Sequence, residues 1–115
     1  MRHLIYILIG MTAASLFVSC GQRQQAKSVI KDFMEQSLHK DVKYLDFSDL
    51  DSTKAISDSV IMVMRQRGPK GIQYKDYKDG TLLYLRTSYL DDQDTCSATF
   101  YLDREATSIV AFKQN

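Results

Sequence analysis

Residues 79–102 read DGTLLYLRTSYLDDQDTCSATFYL. An alternating run ends at a polar break, Asp91-Asp92-Gln93-Asp94, and a second alternating run follows. Pairing Leu90 with Thr95 across that break sets Leu83 against Leu102, Leu85 against Phe100, Thr87 against Ala98 and Tyr89 against Cys96. These pairs form one apolar face. The other face carries Tyr84 against Tyr101, Arg86 against Thr99 and Ser88 against Ser97. A slip of one residue would send every apolar side chain to solvent, so the pattern fixes the register. Upstream, Asp79-Gly80 favours a two-residue hairpin turn, because both central positions need positive φ. That turn predicts a preceding strand from Ile72, with Lys78 opposite Thr81, Tyr74 facing Leu85 and Ile72 facing Thr87. After a turn at residues 103–107, a last strand over 108–113 is expected to point Val110 and Phe112 inward.

Before residue 72 the period is helical. Ala26, Val29, Ile30, Phe33, Met34, Ser37 and Leu38 recur at three- and four-residue steps and form one apolar stripe. Lys27, Lys31, Asp32 and Glu35 fall off it and read as solvated, and His39-Lys40 suits the negative end of the helix dipole. Residues 42–47 read as a short strand, and residues 48–52 offer several N-caps for a second helix ending near Gln66. Its expected buried face is Ile56, Val60, Val63 and Met64, and Gly68-Pro69 stops it. The fold class expected is α+β: two helices packed on one face of a four-strand antiparallel meander, with one extra short strand at 42–47.

The first residues are an address. Arg2 and His3 form a basic start, and residues 4–18 are an uncharged apolar run of fifteen. That is short of the ~20 residues a membrane span needs and matches a secretory signal. It ends Phe17-Val18-Ser19-Cys20, which resembles a bacterial lipobox, with Phe17 where leucine is usual. The resemblance covers about the first twenty residues. It implies cleavage before Cys20, a diacylglycerol thioether on its sulfur and an acylated amine. The Ser-Cys-Gly run and the polar residues after it are similar to small lipoproteins of Bacteroidota. Ordinary signal cleavage near Thr12-Ala13-Ala14 is the alternative, and it would leave Cys20 a free thiol.

By resemblance to enterobacterial lipoproteins, Gly21 in place of aspartate implies the outer membrane. Gln22-Arg23-Gln24-Gln25 lacks the acidic cluster similar to a surface-export signal, which implies the periplasmic leaflet. The organisation expected is a signal peptide over 1–19, a lipidated Cys20 with a polar tether through 25, and one domain over 26–115. The helix and strand order resembles a shortened NTF2-like or cystatin-like cone, and also small outer-membrane assembly lipoproteins. Element order carries no function.

Removing residues 1–19 leaves 96 of the 115 residues, enough for one core. The chain has 15 Lys and Arg against 14 Asp and Glu, and Arg2 leaves with the signal, so the mature charge is near zero. That balance speaks against a nucleic-acid partner. One proline, five glycines and 44% hydrophobic residues speak against disorder.

Candidate chemistry is sparse. His39 is the single histidine after the signal, so a zinc site with the usual ligands is not expected. Cys96 is expected on the inner strand face as a structural thiol, not a nucleophile paired with His39. Asp91, Asp92 and Asp94 suggest calcium, but counting from Asp92 the glycine position of a calcium loop falls on Ser97. No glycine-rich phosphate loop or nucleophile elbow is present. No cofactor, catalytic residue or metal site is therefore assigned.

What remains is the outer sheet face. The expected register gathers Lys75, Tyr77, Tyr84, Arg86, Thr99 and Tyr101 there. Tyrosine and arginine dominate binding surfaces. Sheets also favour tyrosine and threonine with no partner in view. The sequence thus points to a membrane-anchored, non-enzymatic envelope lipoprotein that contacts a protein or a glycan through this face. The alternatives are an NTF2-like domain with a ligand or reaction pocket between helices and sheet, and an inhibitor of an envelope enzyme.

Overall fold

The computed structural model describes residues 21–54, 56–77 and 80–115. Cys20 and the signal lie outside the described residues, as do Lys78 and Asp79 of the expected turn. The fold is α+β, with two helices and one antiparallel sheet. Helix α1 is α-helical over residues 21–32 and continues as a π-helical turn, Phe33–Ser37. Then come β1 (Lys43–Phe47), β2 (Asp51–Thr53), α2 (Asp58–Arg67), β3 (Leu82–Asp91), β4 (Asp94–Leu102) and β5 (Ile109–Gln114). The sheet order is β1-β3-β4-β5, and β2 pairs with the same β3 edge as β1.

The β3–β4 hairpin has the register that the alternation dictates, Leu83 opposite Leu102 through Asp91 opposite Asp94. Leu85, Thr87, Tyr89, Ala98, Phe100 and Leu102 are all at most 1% exposed. Helix α1 covers this face with Ala26, Ile30, Phe33 and Met34. Phe33 meets Phe100 and Phe112 edge-on, and those two rings stack 5.5 Å apart. Lys31 is exposed, as expected, and Lys27 is half-buried, and both also reach aromatic rings. Lys27 Nζ lies 5.2 Å from the centre of the Phe47 ring, and Lys31 Nζ lies 5.5 Å from that of Tyr44. Their ammonium groups gain from the ring faces while staying near water.

Residues 21–25, expected as a tether, are helical and belong to α1. Three contacts hold them. Arg23 donates to Phe47 O at 3.0 Å and Ser48 O at 3.3 Å, and Gln25 donates to Glu105 O at 3.4 Å. The polar composition that suggested a tether is the solvent side of a helix.

Residues 72–77 differ more. They carry the expected period of two but do not pair with β3. That edge of β3 belongs to β1 and β2, with Tyr44 opposite Tyr89, Phe47 opposite Thr87 and Asp51 opposite Tyr84. Residues 72–77 instead run beside β5, where the Lys75 amide donates to Ile109 O at 3.0 Å. Ile72 and Tyr74 still turn toward the α1 core, so the alternation reports a half-buried extended segment without naming its neighbour. In β1 the register shifts between Tyr44 and Asp46. This bulge lets Tyr44 and Phe47, three apart, both pack on the core and leaves Leu45 exposed. The buried Thr87 hydroxyl donates to Asp46 O there at 2.8 Å.

Helix α2 starts at Ser57, whose hydroxyl accepts from the Val60 amide, and not at any cap in residues 48–52. Its buried residues are Ile61 and Met64, whereas Val60 and Val63 are exposed. The helix lies along β5, and a stripe of two residues suffices to seat it there. Ile61 and Met64 form a second cluster with Leu82, Val110 and Ala111, joined at its margin by Ile56, Tyr77 and Tyr101. Val110 thus serves α2, not the α1 face expected for it. A second shift, between Tyr101 and Leu102, turns Ile109 and Phe112 to the α1 side.

Candidate functional site

The β3–β4 register brings Tyr84 and Tyr101 side by side. Their ring centroids are 6.0 Å apart and tilted by 35°. Both are half-buried, and Arg86, the next outward residue of β3, is exposed. Burial pushes the Tyr101 phenol above its usual pKa, and neighbouring Tyr84 adds to the shift. The row across the sheet at Arg86 continues through Thr99 to Lys113. Ser48, between β1 and β2, fixes the Arg86 backbone on that edge of β3, since its hydroxyl accepts from the Arg86 amide at 2.8 Å. Thr99 is 7% exposed, and Asn115 donates to its hydroxyl at 3.3 Å.

Of the six residues assigned to this face, Tyr84, Arg86, Thr99 and Tyr101 are therefore together. Lys75 and Tyr77 are not on a strand paired with β3, because the hairpin that placed them is displaced by β1 and β2, although Tyr77 packs on the same α2 cluster as Tyr101. Lys75 pairs with Asp103 at 3.2 Å, and the Tyr77 hydroxyl donates to Ile56 O at 2.9 Å. Both border a recess beside the β4–β5 turn, with Arg104 and Glu105.

That turn is organised by Asp103. Its carboxylate accepts from the Thr107 amide at 2.7 Å, the Thr107 hydroxyl at 2.6 Å and the Ser108 amide at 3.1 Å. Burial alone would raise its pKa. The hydrogen bonds from Thr107, Ser108 and Lys75 outweigh burial and hold it below the usual carboxylate value.

A second concavity lies at the opposite end of the domain and was not foreseen. It holds about 630 Å³ between the end of α1, the end of α2 and β5. Leu38, Met64, Pro69 and Phe112 supply apolar lining, and Lys40, Arg67 and Lys113 supply charge. Lys40 pairs with Asp91 at 3.0 Å. That hydrogen bond raises the Lys40 pKa despite some desolvation. A methyl group built on Gly68, also in the lining, would sit 3.4 Å from the Tyr74 hydroxyl. That hydroxyl is buried and has no hydrogen-bond partner among the described residues. No sequence signal could have shown this site, because it is made where two helix ends meet in space.

Cys96 is half-buried against the α1 core, opposite Tyr89, with its sulfur 3.9 Å from Asp94 O. His39 is exposed just past α1, at φ 54°. Asp91 and Asp94 close the β3–β4 turn as strand partners. Among the described residues no group of three or more His, Cys, Asp and Glu is placed to hold a metal ion. No described helix is long and apolar enough to cross a membrane. No protein-family model, curated protein or solved structure matches the chain.

Proposed function

We propose that the chain is a lipid-anchored envelope protein that binds a protein or glycan partner without catalysing a reaction. The anchor is Cys20, on the lipobox-like end of the apolar run, and the location is the periplasmic face of the outer membrane. The observation that carries the binding role is the Tyr84–Tyr101 pair beside exposed Arg86. Two amphipathic rings and a guanidinium on a rigid sheet give contact area at low entropic cost. A photo-crosslinking residue at Tyr84 in native membranes tests it. A discrete adduct is expected at Tyr84, absent for the same group at Val60 and weakened by Arg86→Ala. Equal labelling from both positions would reject this face.

The opposite cleft favours a second reading, a small-ligand site between helices and sheet. Its volume lies within the roughly 300–1,000 Å³ typical of such sites. Apolar floor and cationic rim suit an amphipathic anion. Titration calorimetry with decanoate tests it, and Arg67→Gln with Lys113→Gln should weaken binding at least about tenfold if charge-assisted contacts hold the carboxylate. No heat from the parent protein rejects this reading.

A further inference from the structure

We propose that one end of the domain, formed by the start of α1, the 48–50 loop and the 103–107 turn, rests in the phospholipid headgroup layer. The inference builds on the lipid-anchored reading and adds where the domain sits once anchored.

The acyl groups of that reading are carried by Cys20 itself. The next residue, Gly21, is already helical. Neighbouring Cα atoms are only about 3.8 Å apart. The helix to which Gly21 belongs is part of the rigid body. Arg23 is bonded to Phe47 O and Ser48 O, and Gln25 to Glu105 O. Ala26 is fully buried in the same cluster as Ala106 of the β4–β5 turn. No slack remains between anchor and domain. The headgroup region on each side of a bilayer is roughly 5–8 Å thick. Residues packed around the first turn of α1 therefore lie at its depth.

The far end is set by the length of α1. Residues 21–37 span about 25 Å at helical rise. Just past them, Lys40 pairs with Asp91, so the β3–β4 turn is at the end away from the lipid. Near the lipid, Arg23 and Arg104 accompany Asp49 and Glu105, and Asp103 is paired with Lys75, so the charges there balance. Leu50 packs on the core and is not free to act as an apolar wedge. Such an end suits zwitterionic headgroups, with the acyl chains supplying the affinity. It lacks the Lys/Arg cluster that anionic-lipid binding uses.

The chain has no tryptophan, so a single introduced indole reports alone. Full-length acylated R104W and Q93W are placed in phosphatidylcholine vesicles doped with headgroup-nitroxide phosphatidylcholine, and mass spectrometry verifies the acylation. R104W should lose most of its emission and Q93W should keep it, with no change on raising salt. Inserting about twelve Gly and Ser residues between Cys20 and Gly21, with a reach of roughly 17–21 Å, should abolish the difference. Equal emission from R104W and Q93W with Cys20 acylated overturns the seating alone. Quenching that survives the insertion overturns the role of the short connection. An unmodified Cys20 overturns both the seating and the anchor on which it rests.

Discussion

Arg65 stands with its guanidinium carbon 5.1 Å from the centre of the Tyr74 ring. The same guanidinium donates to Val110 O at 2.9 Å and to Lys75 O at 2.7 Å. One side chain thus ties α2, β5 and the 72–77 segment together. Arg65→Ala should cost about 2–4 kcal/mol, from two charge-assisted hydrogen bonds and one cation–π contact. Arg65→Lys should recover less than half, because an ammonium cannot reproduce the planar fork. Urea unfolding of both variants checks this, and a loss under about 0.5 kcal/mol, the scale of an ordinary surface change, would contradict it.

Asp103 should make the fold acid-sensitive. Its folded pKa is depressed, so its contribution is fully present above the unfolded value of about 3.9 and is lost as pH falls through the lower folded value. Asp103→Asn should lower stability at neutral pH and flatten the pH dependence below about pH 4. Urea midpoints measured from neutral to strongly acid pH report it. Parallel curves for parent and variant would place the acid sensitivity in other groups.

Helix α2 offers a test of which face is seated. Ile61→Ala should cost about 2–4 kcal/mol, as a buried aliphatic truncation. Val60→Lys and Val63→Lys should stay near ±0.5 kcal/mol, because both side chains are exposed. The reverse order in thermal or urea unfolding would mean that α2 is rotated.

On the outer sheet face, Tyr84→Ala with Arg86→Ala should remove no more than about 1–2 kcal/mol of stability, mostly the cross-strand tyrosine pair. With the photo-crosslinking group moved to Tyr101, the same change should abolish the adduct. A variant that folds as the parent does and keeps the adduct would assign these residues to the sheet surface alone.

How much of this was legible follows from where each signal resides. The β3–β4 register is written twice, in the alternation of both strands and in the polar break at residues 91–94, so Tyr84 and Arg86 could be set opposite Tyr101 and Thr99 from the chain alone. Residues 72–77 alternate equally well, yet alternation gives only which side is buried. The partner was decided by Tyr44 and Phe47, which fill the β3 edge through a bulge that no pattern announces. Lys75 and Tyr77 left the predicted face for that reason. The Asp51–Thr53 strand has no apolar residue to reveal it. In α2, Val60 and Val63 outnumber what β5 can cover, so hydrophobicity overstated the seated face. The cleft lined by Leu38, Met64 and Phe112 needs three distant segments at once.

Each outer margin of the sheet is capped at one end. On β1, Arg23 takes the carbonyls of Phe47 and Ser48. On β5, the Lys75 amide and the Arg65 guanidinium take those of Ile109 and Val110. An open strand edge is a template for another chain, and the hazard grows with local concentration. Confinement to a bilayer would gather upright copies in two dimensions, where sideways collisions are frequent and similarly oriented. Two arginines and a peptide amide already hold four carbonyls at those ends. Copies crowded on a membrane would then meet sheet edges that are closed at those ends.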